Sequence, residues 1–345
     1  MKRLLLAILL GLSSLSYAVD YSNQKEGVWV AKDFQFHTGE SFKELNIGYI
    51  TLGNPNNPAI LILHGTAGSA KGMLNKDFGE ELFQAGQVLD ANKYFIIIPD
   101  AIGVGKSTKP SNGLRTQFPQ YNYDDMVQAQ YRLVSEGLGI QHLKLVLGNS
   151  MGGMQTWLWG IEHPKYMDYL APMASTPSAM SGRNWMMRRF ISEAVRRDPD
   201  WNNGNYQTQP KSAQFVSVFY GAATAGGNKR LQFLAPNSEK ADAIINERLS
   251  APFTMDANDF LYQWESSRDF NPGERVAQIR AKVLVINAAD DERNPPELGI
   301  MEKQLKKIKS AELFLIPSSD QTSGHSTTGQ ARWWKDRLKQ FLETH

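Results

Sequence analysis

An α/β fold, with a mostly parallel central sheet flanked by helices and a helical cap above it, follows from three features of the 345-residue chain. Short, wholly apolar runs recur at Ala59–Leu63, Tyr94–Ile98, Leu143–Leu147, Tyr169–Met173, Lys282–Ile286 and Glu312–Ile316, separated by stretches of helical pattern. Continuous apolar strands alternating with helices are the signature of a parallel sheet covered on both faces. One long interval, from Thr176 to about Arg280, lacks any convincing core strand. A serine flanked by glycines follows directly on the run Leu143–Leu147.

The chain opens with Met1-Lys2-Arg3 and the apolar stretch Leu4–Leu12, then Ser16-Tyr17-Ala18. A basic start, a short apolar stretch and small residues before a cleavage point are the composition of a signal peptide. The stretch is too short for an ordinary membrane-spanning helix, and no cysteine follows it for lipid attachment. The expectation is cleavage after Ala18, a periplasmic or secreted product, and no stable membrane insertion. From Trp29 to Leu52 the apolar residues alternate enough (Phe34, Phe36, Leu45, Ile47, Tyr49) to predict an antiparallel pair opening the sheet. The interval after Tyr169–Met173 contains helix-like pieces such as Trp185–Arg197 and joints such as Asn202-Asn203-Gly204 and Gly226-Gly227. An insertion there sits above the carboxyl ends of the strands, where α/β sheets bind ligands. The predicted organisation is a leader at 1–18, a core at 19–175 and 281–345, and a cap at 176–280.

Composition narrows the function. The formal charge is +2, and Lys2 and Arg3 of the leader account for it, so the remainder is balanced. That gives no electrostatic case for nucleic acid. The absence of cysteine excludes disulfides, zinc-thiolate sites and a thiol nucleophile. The cap arginines at 183, 188, 189, 196 and 197 fit a solvated helix face better than an acidic-substrate site.

Gly148-Asn149-Ser150-Met151-Gly152, between an apolar strand and a helix, has the form of a nucleophile elbow. Such a turn is tight enough to expose the serine hydroxyl at the strand end, and glycines on either side remove side chains that would collide. The Met151 backbone N–H, at the start of the helix, is then available to an oxyanion. A serine hydroxyl needs a base, and the base an orienting acid, which in an α/β-hydrolase follow in the order Ser, Asp or Glu, His. His163 lies in the helix just after Ser150, and His345 is terminal. His325, in Ser323-Gly324-His325-Ser326 after the last apolar strand, stands where the fold delivers its base. The acid is expected after Lys282–Ile286, where Asp290, Asp291 and Glu292 cluster. Asp291, four residues before Pro295, is the choice; Asp290 is read as a turn or capping residue, and Asp320 is a poor third.

The second oxyanion donor is expected from the loop after Ala59–Leu63, His64-Gly65-Thr66-Ala67-Gly68-Ser69, with the Thr66 backbone N–H as the candidate. His64 is read as shaping that loop. Gly103-Val104-Gly105-Lys106-Ser107 resembles part of a phosphate loop but lacks the full spacing, and is read as a loop at the active-site rim. Trp157, Trp159, Trp185, Met186 and Met187 hint at an apolar pocket, although core packing explains most of them.

Several blocks of the chain resemble the homoserine O-acetyltransferase branch of the α/β-hydrolase superfamily. Gly148-Asn149-Ser150-Met151-Gly152-Gly153-Met154-Gln155 is similar to that branch's G-G-S-M-G-G-M-Q. Phe118-Pro119 with Asp125-Met126-Val127 resembles its F-P…D-M-V segment. Asp198-Pro199-Asp200-Trp201 with Gly204-Asn205-Tyr206 resembles D-P-x-W-x-x-G-x-Y, and Phe253 to Tyr262 resembles F-D-A-N-x-Y-L-Y. The resemblance covers most of residues 45 to 342 and implies triad roles for Ser150, Asp291 and His325. It departs in the cap, where the branch carries an R-M-x-x-x-x-Y-R-S-like block whose arginine helps hold the amino acid substrate. The stretch around Ser217-Val218-Phe219-Tyr220-Gly221-Ala222 does not reproduce it. A leader also places the enzyme away from acetyl-CoA. The expected activity is therefore an exported serine acyl hydrolase on a small-molecule ester, with O-acyl transfer as the alternative and a catalytically dead binding protein as a third reading. No metal or organic cofactor is implied, and a homodimer is compatible with the sequence.

Overall fold

The computed structural model describes residues 21–344; the leader read at 1–18 lies outside them. Eight strands form one sheet: β1 Lys25–Gln35, β2 Ser41–Leu52, β3 Ala59–Leu63, β4 Phe95–Pro99, β5 Leu143–Asn149, β6 Met167–Met173, β7 Lys282–Ala288 and β8 Ala311–Ile316. Their spatial order is β1-β2-β4-β3-β5-β6-β7-β8. The first two strands pair antiparallel, and β2 pairs antiparallel with β4. Every pairing from β4 through β8 is parallel. All six apolar runs become strands, and β3 and β4 are buried along their full length.

Burial on both faces explains why these runs lack alternation. Ile97, Leu61, Val146 and Val285 pack on one side with the helices Tyr123–Arg132 and Met151–Glu162, whose contributions include Met126, Trp157 and Trp159. Ile96, Ile60, Leu147 and Ile286 pack on the other side with Phe78, Trp334 and Phe341. Two apolar layers thus hold the strands from above and below, as a parallel sheet requires.

After β6 the chain leaves the sheet and forms five α-helices, Gly182–Arg196, Lys211–Thr224, Asn228–Leu234, Ser238–Ser250 and Ala257–Glu265, before returning at β7. They make a cap with its own small core, in which Ile191, Val195, Trp201, Tyr220, Phe260 and Trp264 pack together. The helix starts are defined locally: Asn237 and Asp256 accept N–H groups of the first turns of the helices that follow them.

The sheet also fixes where the chemistry can occur. β3 lies between β4 and β5, so the direction of strand succession reverses there, and such a switch point opens a crevice at the carboxyl ends. Leu63, the last residue of β3, sits opposite Gly148 near the end of β5. The loop beginning at His64 and the turn at Ser150 therefore leave the sheet side by side.

Candidate active site

Ser150 occupies the turn between β5 and the helix Met151–Glu162 with φ 56° and ψ −112°. A positive φ is costly for a residue with a Cβ, typically about 1–3 kcal/mol, and persists only where the surroundings impose it. Here the Ser150 N–H is fixed by the Met173 carbonyl at 2.9 Å. The glycines are required by close approach. A Cβ on Gly148 would lie 2.1 Å from the Gly152 carbonyl oxygen, and one on Gly152 would lie 2.1 Å from that of Leu63.

The Ser150 Oγ is 2.9 Å from His325 Nε2. On the other side of the ring, His325 Nδ1 is 2.9 and 3.0 Å from the two oxygens of Asp291. An imidazole bound in this way donates from Nδ1 to the carboxylate and keeps its Nε2 lone pair for the serine proton. All three side chains are buried. Burial disfavours the Asp291 charge, but His325 and the N–H donors around it outweigh that cost and hold its pKa below the ordinary carboxylate value. Those donors are the backbone N–H groups of Arg293 and Asn294 and the Asn294 side-chain amide, at 2.8 to 3.0 Å. Burial pushes the His325 pKa down; Asp291 opposes this, and the positive charges of Arg293 and Arg188 add to it.

Asp290 does not reach the histidine; it accepts the Thr322 hydroxyl at 2.7 Å. Asp320 accepts a long bond from Gln321, at 3.4 Å. Glu292 accepts the His325 backbone N–H at 3.0 Å and is therefore part of the site's support. His64 is tied to backbone through both ring nitrogens, to the Gly65 carbonyl at 2.8 Å and the Ala101 N–H at 3.0 Å. Because Nε2 must accept from Ala101, Nδ1 carries the proton. His64 thus fixes the loop that presents Thr66.

A cavity of about 420 Å³ opens onto Ser150 and His325, lined also by Thr66, Tyr220, Phe260, Trp264 and Arg293. This volume falls within the range of small-molecule sites, roughly 300–1,000 Å³. The aromatic wall comes from the cap. It does not come from Trp157 and Trp159, which are fully buried and bonded to Ser175 and Gln130, nor from Met186, which is exposed. Residues 103–107 do not line the cavity either. They wrap the Asp100 carboxylate, which accepts the Lys106 N–H at 2.9 Å and the Ala70 N–H at 2.7 Å. A Cβ on Gly105 would collide with that carboxylate, so the phosphate-loop likeness reflects a loop closing on an acid.

Of the cap arginines, Arg189, Arg196 and Arg197 form ion pairs with Glu193 or Glu265. Arg188 is different: it is 1 % exposed and turns from the cap helix Gly182–Arg196 toward Ser267 and Trp264. Sequence reasoning also passed over Arg293 and Asn294, whose only signal was adjacency to Asp291.

The fold and the hydrogen-bonded series Ser150–His325–Asp291 define an enzyme of serine hydrolase type, either an esterase or an acyltransferase. The chain belongs to the alpha/beta hydrolase fold family, whose model matches residues 58–323, and it is similar to homoserine O-acetyltransferases and to esterases of that fold. A probable acyltransferase of Methanothermobacter thermautotrophicus is 25% identical, over 90% of this chain and 95% of its own. The homoserine O-acetyltransferase of Haemophilus influenzae is 26% identical, over 80% of this chain and 86% of its own. Among solved structures, an acetylester hydrolase from Corynebacterium glutamicum superposes with a TM-score of 0.79 at 22% identity, covering 92% of this chain and 96% of that one. At that identity the superposition speaks for the fold.

Proposed function

We propose that this protein is a serine acyl hydrolase of esterase type, exported by its leader to the periplasm or the medium. The observation that carries the chemistry is the series Ser150 Oγ, His325 Nε2, His325 Nδ1 and Asp291, joined at 2.9 Å at each step beside an open cavity. In the first half-reaction His325 takes the Ser150 proton as Oγ attacks the ester carbonyl. The tetrahedral oxyanion is received by the Thr66 and Met151 backbone N–H groups; among the described residues neither amide has another backbone acceptor. His325 then passes its proton to the departing alcohol. In the second half-reaction it deprotonates a water that attacks the acyl-enzyme, releasing the acid and restoring Ser150. Asp291 holds the imidazole tautomer throughout.

Water, rather than an amino acid, is the proposed acceptor because the cap lacks the R-M-x-x-x-x-Y-R-S-like block. The stretch read as corresponding to it, around residues 217–222, falls in the helix Lys211–Thr224, which carries no arginine. The leader supports the same reading, since acetyl-CoA is not available outside the cytoplasm. O-acetyl transfer to homoserine remains the second reading, favoured by the identity to homoserine O-acetyltransferases over four fifths of the chain.

The test is acyl-enzyme turnover with p-nitrophenyl acetate, with and without homoserine and acetyl-CoA. A burst followed by steady hydrolysis, indifferent to both additions, is the expected result. Acetyl-homoserine formed only when both are present would replace hydrolysis with transfer. N-terminal sequencing of protein from the periplasm and medium checks cleavage after Ala18.

A further inference from the structure

Arg293 lines the serine cavity but forms no ion pair among the described residues. Its Nε donates to the carbonyl and hydroxyl of Thr224 at 3.2 and 3.0 Å, and its guanidinium lies 4.3 Å from the centroid of the Tyr220 ring. The carboxylates nearest in sequence are committed elsewhere: Asp291 to His325 and the N–H groups around it, Glu292 to the N–H groups of His325 and Gly227, Asp290 to Thr322.

A second cation stands behind it. Arg188 is buried with, among the described residues, neutral partners only, donating to Asn184 Oδ1 at 3.0 Å and Ser267 Oγ at 3.1 Å and lying 5.0 Å from the Trp264 ring. Both guanidinium charges reach the catalytic centre, since both act to disfavour the His325 imidazolium. Burying a cation without a counter-charge is expensive. Burial disfavours the Arg293 charge, and Asp291 and Glu292 favour it from a distance while Arg188 opposes it; among the described residues no carboxylate forms an ion pair with either guanidinium, so the Arg293 fork at the cavity has no acidic partner in contact.

The same wall holds unpaired hydrogen-bonding groups. The Tyr220 hydroxyl and the Trp264 Nε1 are buried without a hydrogen-bond partner, although native proteins seldom leave such groups unsatisfied. Both residues line the cavity with Arg293. Guanidinium and indole groups only donate, and a hydroxyl can donate. An ionised carboxylate only accepts, through two oxygens, and matches a guanidinium fork in shape and charge.

We propose that the natural ester carries a carboxylate, which Arg293 receives at the cavity wall with Arg188 behind it and Tyr220 and Trp264 as supplementary donors. The proposal rests on the acyl-hydrolase reading of Ser150, and it assigns Arg293 as the residue that sets specificity. The cation is supplied from the acid loop of the core, and the supplementary donors come from the cap helices Lys211–Thr224 and Ala257–Glu265.

Two matched pairs of substrates place the charge on either side of the ester. 4-Acetoxybutyrate against 4-acetoxybutyramide puts it on the alcohol, and monomethyl glutarate against its amide puts it on the acyl group. The expected result is a kcat/KM ratio of anion to amide of at least tenfold in one pair. That ratio collapses toward one in Arg293→Met and is partly retained in Arg293→Lys, which keeps the charge but loses the fork. Calorimetric titration with glutarate and butyrate reads the site without turnover, with saturable binding expected in the native protein and lost in Arg293→Met. Equal turnover of anion and amide in both pairs would overturn the anion site and leave the hydrolase reading standing. Carboxylate binding without turnover of any ester would keep the site and overturn the hydrolase reading. Neither binding nor turnover would remove both.

Discussion

The carboxylate of Glu292 accepts the backbone N–H of His325 at 3.0 Å and that of Gly227 at 2.8 Å. One side chain thereby joins the loop that carries the base to a joint of the cap. The link is reinforced by the Gly226 N–H on the Ser323 carbonyl at 3.0 Å and the Thr322 hydroxyl on Asp290 at 2.7 Å. Gly324, at φ +54°, makes room for it, since a Cβ there would lie 2.2 Å from the Glu292 carboxylate. The position of His325 thus depends on where the cap sits.

Glu292→Ala should therefore cost activity through kcat more than through KM. Misplacing a catalytic group by about 1 Å can cost about a hundredfold, and a loss of that order in kcat is expected with KM changed only a few-fold. Glu292→Gln keeps one acceptor oxygen and should fall between the two. Steady-state kinetics on the three proteins check this; a kcat within threefold of native for the alanine variant would show that His325 is held by other contacts.

Ser150→Ala should abolish covalent labelling by a fluorophosphonate while leaving the fold intact. The hydroxyl has one hydrogen bond, to His325, worth about 1 kcal/mol net. In a protein of this size such a loss moves the melting temperature by only about 3 °C. Labelling that survives in the variant would mean that another residue is the nucleophile.

The two adjacent aspartates should differ sharply. Asp291→Asn would present an amide to the imidazole and favour the wrong tautomer, a change that costs about four orders of magnitude in a serine protease. Asp290→Asn disturbs only the bond to Thr322 and should reduce kcat/KM by less than tenfold. Finding Asp290→Asn the costlier change would reverse the assignment of the acid.

The sheet was legible because burial on both faces writes itself into β3 to β8 as unbroken apolar runs, and the elbow because its geometry tolerates only glycine at 148 and 152. The choice between Asp290 and Asp291 came from the distance to Pro295, and only Asp291 meets His325. The cavity wall was not legible in the same way. Tyr220, Trp264, Arg188 and Arg293 come from four separate segments and meet only when the cap closes on the core, so no local spacing records their proximity. Trp157 and Trp159 drew attention as aromatics near the elbow, yet they point into the core beneath it. Arg188 looks like its neighbours 189, 196 and 197 in sequence. Only its place on the inner side of the helix Gly182–Arg196 separates it from them.

The pH dependence follows from the burial of His325. The base must be neutral to accept the Ser150 proton, so kcat/KM falls on the acid side as the imidazole protonates in the free enzyme. Burial and the charges of Arg293 and Arg188 lower the His325 pKa, against the opposing pull of Asp291. The acid midpoint is therefore expected below the ordinary imidazole value of about 6.5. Arg293→Met removes one of the charges that depress it and should move the midpoint upward. Stability shares the sign. A histidine whose pKa is depressed on folding favours the native state above its unfolded value, and that contribution is lost as pH falls below about 6.5, because the unfolded chain takes up the proton first. A pH–rate profile on the native and variant proteins, with melting temperatures over the same range, measures both. A native midpoint at or above 6.5, or a downward shift in Arg293→Met, would mean that Asp291 dominates the imidazole rather than burial and the two arginines.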